Sequence, residues 1–332
     1  MGKKDRGAYV TWADYMGRSQ GFIDNMNLIP IYIKKSTFAP KVVLPLRYMM
    51  NSIETLFRLF IEKPAYIIVM SPPIFAVISV YLYVILTGTN FIVDNHSGSF
   101  ESRKWRWSIP ILRFICRKAD LVLVTNFVHF EAVKSWKSKP MIVGDPPPAI
   151  PHFARGYSCK LSITSPSIVV VNSYTKNEAL DEIIDAAKLC KDVIFYVTGD
   201  KRKVGKEILN GLPANVILTG WLEDNEFWWL LRKCNAILTL IIQENTILRG
   251  GWEAMYLGQP LITSNTIANR NYFYKGAVFV DNRGKNISDG ICYALKNEME
   301  LKVKMEELRL ERIHEWNENK IIILQIISPK PL

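Results

Sequence analysis

An arginine and a glutamate stand one helical turn apart in the stretch RGGWEAMYLGQPLITSN, residues 249–265. At i,i+4 spacing Arg249 and Glu253 share one face of a helix. A guanidinium offers forked donors that suit phosphate. A carboxylate accepts two hydroxyl donors, as a ribose diol presents them. The periodicity predicts a helix over about 246–257, opened by Thr246 after the polar loop Gln243-Glu244-Asn245. Free N–H groups at such a start make an anion site. Phosphate there and ribose one turn along would bind a nucleoside diphosphate. The plainer reading is an i,i+4 ion pair, and both stand at this level. Gly250 and Gly251 cost a helix about 1 kcal/mol each, so something requires them. Close approach of a ligand to the backbone is one reason, and close packing on a sheet is the other.

Three more groups could carry chemistry. Gly199-Asp200-Lys201-Arg202 directly follows a strand-like run, which places Lys201 or Arg202 to meet a diphosphate; a solvated turn is the alternative. Ser173 through Lys176 follow another strand in the same way. The run Asn90–Val93 leads into Asp94-Asn95-His96. Of four histidines, only His96 falls at a strand's carboxyl end among polar neighbours, and with Asp94 it fits acid–base work. Asp14 is a weaker candidate of the same kind, and Gly17-Arg18-Ser19 lets a phosphate approach the backbone. Arg103-Lys104-Trp105-Arg106-Trp107 comes next, then Arg113, Arg117 and Lys118. Basic and aromatic residues together fit anionic lipid headgroups. They also fit nucleic-acid stacking, or an ordinary loop with its tryptophans tucked in.

Strand-like and helix-like runs alternate to position these groups. Strands are predicted at Ala8–Ala13, Ile29–Ile33, Tyr66–Met70, Asn90–Val93, Leu121–Thr125 and Met141–Val143. Residues 45–62 place Leu46, Met49, Met50, Ile53, Leu56, Phe57, Phe60 and Ile61 on one face of an amphipathic helix. Gly144-Asp-Pro-Pro-Pro-Ala-Ile-Pro151 stops the pattern, because consecutive prolines continue neither helix nor sheet. It restarts with strands at Ile168–Asn172, Val193–Thr198, Val216–Thr219, Ala236–Leu240, Leu261–Ser264 and Ala277–Val280. The helix Asn177–Leu189 has an acidic first half, as the macrodipole favours, and a charged helix runs over about 298–317. The expected fold is α/β: two parallel-sheet domains, 1–155 and 165–297, with a segment 298–332 returning to the first. Ligands of such sheets lie beyond the carboxyl ends of the strands, so the cleft between the domains is the expected site.

Composition bounds the rest. The chain has 332 residues, 49% apolar, and a net charge of +11. That charge suits an acidic partner such as a membrane surface, a phosphorylated substrate or nucleic acid. No nucleic-acid reader motif is present, so nucleic acid is not expected. The five cysteines are scattered without a CxxC pair, so no metal centre is expected and a reducing compartment fits. The start MGKKDRGAYVTWAD shows no secretory leader. The apolar run Ile74–Leu86 has 13 residues, short of the roughly 20 that span a bilayer.

The segment Glu253-Ala254-Met255-Tyr256-Leu257-Gly258-Gln259-Pro260 resembles the donor-binding signature of GT-B glycosyltransferases, in particular the large retaining nucleotide-sugar-dependent family 4. Residues 169–200 and 216–240 resemble further motifs of that family in the same order. The resemblance implies a GT-B fold of two Rossmann-like domains facing a central cleft. It implies transfer of a sugar from a UDP- or GDP-linked donor to an acceptor hydroxyl, with no other cofactor and without metal. The implied donor ligands are Glu253, Arg249, Thr246, Gly250, Gly199, Lys201, Arg202 and Ser173. His96 would orient sugar or acceptor, and Asp94 would be the base of an inverting reaction. Arg18, Arg103, Trp105, Arg106 and Trp107 fall on the acceptor or membrane side. The acceptor would be a glycan or lipid-linked saccharide, met by a cytoplasmic protein held peripherally on the inner membrane face. The family's first glutamate, eight residues before the second, is here Asn245 with Glu244 beside it, which leaves retention open. A non-catalytic nucleotide-binding subunit or a sugar-nucleotide epimerase on the same scaffold are the alternatives.

Overall fold

Runs such as Tyr66–Ser71 and Leu121–Val124 show no polar alternation, and every residue in them is buried. That is the mark of parallel strands with helices on both faces. The structure, a computed structural model, describes residues 6–13, 16–33, 43–153 and 162–327. Asp14 lies outside the described residues.

The chain divides into two units. The first contains β1 (Ala8–Thr11), α1 (Gly17–Met26), β2 (Ile29–Tyr32), α2 (Leu44–Glu62), β3 (Tyr66–Ser71), α3 (Ile74–Thr87), β4 (Asn90–Asn95), α4 (Gly98–Glu101), α5 (Ile109–Cys116), β5 (Leu121–Val124), α6 (Phe127–Ser135) and β6 (Pro140–Ile142). The second contains β7 (Ser167–Val170), α7 (Leu180–Leu189), β8 (Ile194–Thr198), α8 (Lys206–Asn210), β9 (Val216–Gly220), α9 (Asp224–Lys233), β10 (Ala236–Thr239), α10 (Arg249–Leu257), β11 (Leu261–Ser264), α11 (Ile267–Tyr272), β12 (Ala277–Val280) and α12 (Gly284–Lys296). A last helix, α13 (Glu298–Ile327), has 30 residues and runs ten positions past its expected end. The first unit ends at Pro148 and regains the chain from His314 onward.

Each unit holds one six-stranded parallel sheet, ordered β2-β1-β3-β4-β5-β6 and β12-β11-β10-β7-β8-β9. Alternate residues of each strand feed two apolar layers. In the first unit Val10, Val69, Val93 and Val122 pack with Leu59, Val77 and Leu112, from α2, α3 and α5. Tyr9, Ile68, Ile92 and Leu123 pack on the other face with Phe22, Trp316 and Ile323.

An amphipathic surface helix ordinarily turns its apolar stripe to the core. Helix α2 does the reverse. Asn51, Thr55 and Leu59 are buried, with Thr55 accepting a 2.9 Å hydrogen bond from the Trp12 indole. Leu46, Met49, Met50, Ile53, Phe57, Phe60 and Ile61 are exposed.

Candidate functional site

The second sheet reverses its strand order between β7 and β10, which marks the crevice where such sheets hold ligands. Helix α10 starts at that point. A Cβ on Gly250 would come within 2.9 Å of the Val171 Cβ, just past β7, and 3.2 Å of the Thr239 Cβ, at the end of β10. A Cβ on Gly251 would stand 2.7 Å from the Phe273 ring. Packing therefore accounts for both glycines, Gly250 on the sheet and Gly251 against the Phe273 ring after α11, and Gly250 needs no ligand to explain it. They let the helix start sit directly on the reversal.

Arg249 and Glu253 are joined there, with Arg249 Nε donating to Glu253 Oε1 at 2.8 Å. Glu253 is buried and Arg249 is half-buried. The helix begins three residues later than its pattern predicts, with Leu248 as an N-cap that supplies no side-chain hydrogen bond. Thr246 thus does not cap it. Its hydroxyl turns back to Gln243 Oε1 at 3.3 Å, because the loop before α10 is held by other groups. Ile241 N–H donates to Ser264 Oγ at 2.8 Å, and Ile242 N–H to the Asn177 carbonyl at 2.9 Å. The Glu244 carboxylate accepts from Ile267 N–H at 3.2 Å, at the start of α11. Glu244 therefore serves α11 in this structure, and the loop that carries α10 is fixed at both ends.

Two neighbouring loops leave the same edge of the sheet. Gly199 has φ +115°, and a Cβ on it would fall 2.3 Å from the Asn172 carbonyl oxygen. Only glycine fits there, so the loop after β8 closes tightly on the loop after β7. In the latter, Glu178 gathers Ser173 N–H at 2.5 Å, the Ser173 hydroxyl, and Thr175 Oγ1 at 3.1 Å. Ser173 is thus committed to closing its own loop. Glu178 was legible only as one acid at the start of a helix. Arg202 grips Asp200 through Nε and Nη2, both at 2.8 Å, and that hydrogen bonding holds the Asp200 carboxyl down to about 2. Lys201 lies with its stem along Gly220, at the outer strand β9. The structure thus brings Arg249 and Glu253 together at the reversal, while Lys201 lies toward β9 and Arg202 is turned to Asp200.

In the first unit Asp94 is fully buried at the end of β4. Its carboxylate accepts from Tyr9 Oη at 2.5 Å and from Arg18 Nε and Nη2 at 3.0 and 2.9 Å. His96 Nε2 stands 3.2 Å away. Arg18 in turn donates to Asp145 Oδ1 and the Val143 carbonyl, each at 3.1 Å. Burial pushes the Asp94 pKa up, but Arg18 and then His96 outweigh it and hold it well below the carboxylate range. The same burial and the Asp94 charge push Tyr9 up. A carboxylate so enclosed has no free access to a substrate proton, so Asp94 is corrected from base to anchor. Arg18 is likewise corrected: it is buried in this cluster rather than turned to acceptor or membrane. His96 remains half-buried, oriented by Asp94 and by its own N–H on the Ser71 carbonyl at 2.9 Å. Asp145 was legible only as part of a proline-rich linker.

The first sheet reverses its order between β1 and β3. A cavity at the carboxyl ends of those strands is lined by Trp12, Arg47, Tyr48, Asn51, Lys104 and Trp105. Trp105 is buried there, with Lys104 Nζ 5.0 Å from its ring centroid. Of the two places expected for it, acceptor or membrane side, the ring is turned into the unit's own cavity wall and away from the surface. Arg103, Arg106 and Trp107 are exposed. Sequence reading passed over Trp12, Arg47 and Tyr48, which sit in a strand end and a helix that showed only packing periodicity.

Two parallel-sheet Rossmann-like units in one chain define the GT-B architecture. HepE from Anabaena, solved with UDP and glucose, matches at 11% identity over 97% of this chain and 99% of that chain, with a TM-score of 0.66. Sucrose-phosphate synthase from Thermosynechococcus elongatus matches at 13% over 97% and 87%, TM-score 0.67. A putative UDP-N-acetylglucosamine 2-epimerase from Listeria monocytogenes matches at 10% over 99% and 98%, TM-score 0.66. At these identities the likeness is one of fold. No protein of curated function matches the sequence. Residues 160–310, all within the second unit, match the family model of the group 1 glycosyl transferases.

Proposed function

We propose that the protein moves a sugar from a nucleoside diphosphate to an acceptor hydroxyl. The carrying observation is the Arg249–Glu253 pair at the order reversal of the second sheet, inside the segment matched by the group 1 glycosyl transferases. Glu253 accepts from the ribose diol, and Arg249 with the positive end of the α10 dipole meets the diphosphate. In the reaction the bond from the anomeric carbon to the diphosphate oxygen breaks and a bond to the acceptor oxygen forms. The hydroxyl proton passes to the departing diphosphate or to water. Charge building on the diphosphate is met by groups already in place, which lowers the barrier. His96 serves the sugar or acceptor, and the family resemblance favours retention without a metal. Between UDP and GDP we favour UDP, since HepE of the same fold was solved with it. The acceptor is read as a glycan or lipid-linked saccharide, with the protein peripheral on the cytoplasmic side of a membrane. The basic stretch 103–118 supports that reading.

A thermal-shift panel of UDP, GDP, ADP and their sugars tests the site. One nucleoside diphosphate stabilises the wild type. Glu253→Ala and Arg249→Ala each weaken that binding about 10- to 100-fold, the scale of a lost charged hydrogen bond. Equal shifts in wild type and variants would remove the site. A second reading, a sugar-nucleotide epimerase, is favoured by the Listeria likeness. A donor sugar that changes configuration with no acceptor present selects it.

A further inference from the structure

We infer that the layer formed by α2, α3 and α5 docks on an anionic lipid bilayer, with α2 lying in the interface on its outward apolar stripe. The inference stands on the surface of the first unit; it deepens the membrane placement proposed above and does not depend on the sugar transfer itself. Met50, Ile53, Phe57 and Ile61 are each at least 60% exposed, which no ordinary surface helix shows along its whole length. Helix α3 packs beside α2, and α5 beside α3. They add Leu82, Ile85, Leu86, Ile111 and Phe114, all exposed. At about 1.5 Å per residue the 19-residue α2 presents roughly 28 Å of stripe. Among the described residues no helix is long and apolar enough to cross a membrane, so this surface lies on lipid rather than through it.

Charge selects the occupant. Residues 102–118 contain six basic residues, Arg103, Lys104, Arg106, Arg113, Arg117 and Lys118, and no acidic one. They flank Trp107 and Phe114, so cations and apolar side chains present together, as an interfacial surface requires. A second copy of the chain is disfavoured by the same charges. A twofold contact sets the same patch against itself, and two clusters of one sign would face each other.

Flotation of the purified full chain with vesicles tests this, with neither donor nor acceptor present. Vesicles of phosphatidylcholine with 30% phosphatidylglycerol are compared with phosphatidylcholine alone. Binding is expected to the anionic vesicles and to weaken with salt. The double variant Met50→Glu/Phe57→Glu abolishes it while keeping the wild-type circular dichroism melt, because both side chains are exposed. Arg106→Gln and Arg113→Gln each lower partition about fivefold, as expected from about 1 kcal/mol per basic residue near the surface. No binding by the wild type overturns the inference. So does a vesicle-free dimer that Met50→Glu/Phe57→Glu converts to monomer, which would make the face a contact between copies. Failure here leaves nucleotide binding untouched, and loss of nucleotide binding leaves docking untouched.

Discussion

The Asp94 carboxylate holds Tyr9, Arg18 and His96 at once, and Arg18 passes the link to Asp145. Removing its charge leaves Arg18 buried with one carboxylate where two balanced it. Asp94→Asn should therefore cost about 3–5 kcal/mol, read by urea denaturation at neutral pH. The sign of the pH effect follows from the depressed carboxyl. Its folded value lies below its unfolded one, so its contribution is whole above about pH 4 and is lost as the pH falls toward the folded value. Asp94→Asn should flatten the acid limb of the stability curve. An unchanged limb would mean that the cluster does not hold the unit. The sequence placed Asp94 and His96 correctly at a strand end, since strand runs are readable. It did not show the burial, because the partners are scattered from Tyr9 to Asp145 and only the folded sheet assembles them. The Arg249–Glu253 pair was readable because its spacing is local and helical.

At the level of elements, glycine positions separate what packs from what binds. Gly251→Ala would press a methyl against the Phe273 ring and should cost about 1–3 kcal/mol of stability, with nucleotide affinity little changed. Gly199→Ala meets both a positive φ and the Asn172 carbonyl, so it should distort the loop after β8. A fall in melting temperature together with weaker nucleotide binding is expected there. Wild-type binding by Gly199→Ala would detach that loop from the site. The strands of both sheets were legible because buried parallel strands leave unbroken apolar runs. The start of α10 was not, since pinning by Ser264 and Asn177 delays a helix that its periodicity would begin sooner. The direction of α2 was not legible either. Periodicity reveals that a helix has two faces, but the contact between Trp12 and Thr55 decides which one turns inward.

At the scale of the molecule, each unit has its own sheet and its own apolar layers. Calorimetry should resolve two transitions. Trp316 packs edge-on to Phe22 at 5.2 Å in the first unit, and Met305 is fully buried in the second. Trp316→Ala should lower the first unit's transition by about 3–5 kcal/mol, and Met305→Ala should lower the other by about 2–5. One transition moved equally by both would show a single cooperative body. The outward stripe of α2 bears on how the purified protein behaves in solution. In plain low-salt buffer its greasy side has only water or another molecule to meet, so concentrated solutions should turn cloudy. A little mild detergent should clear them, and the doubly acidic helix should stay clear without it.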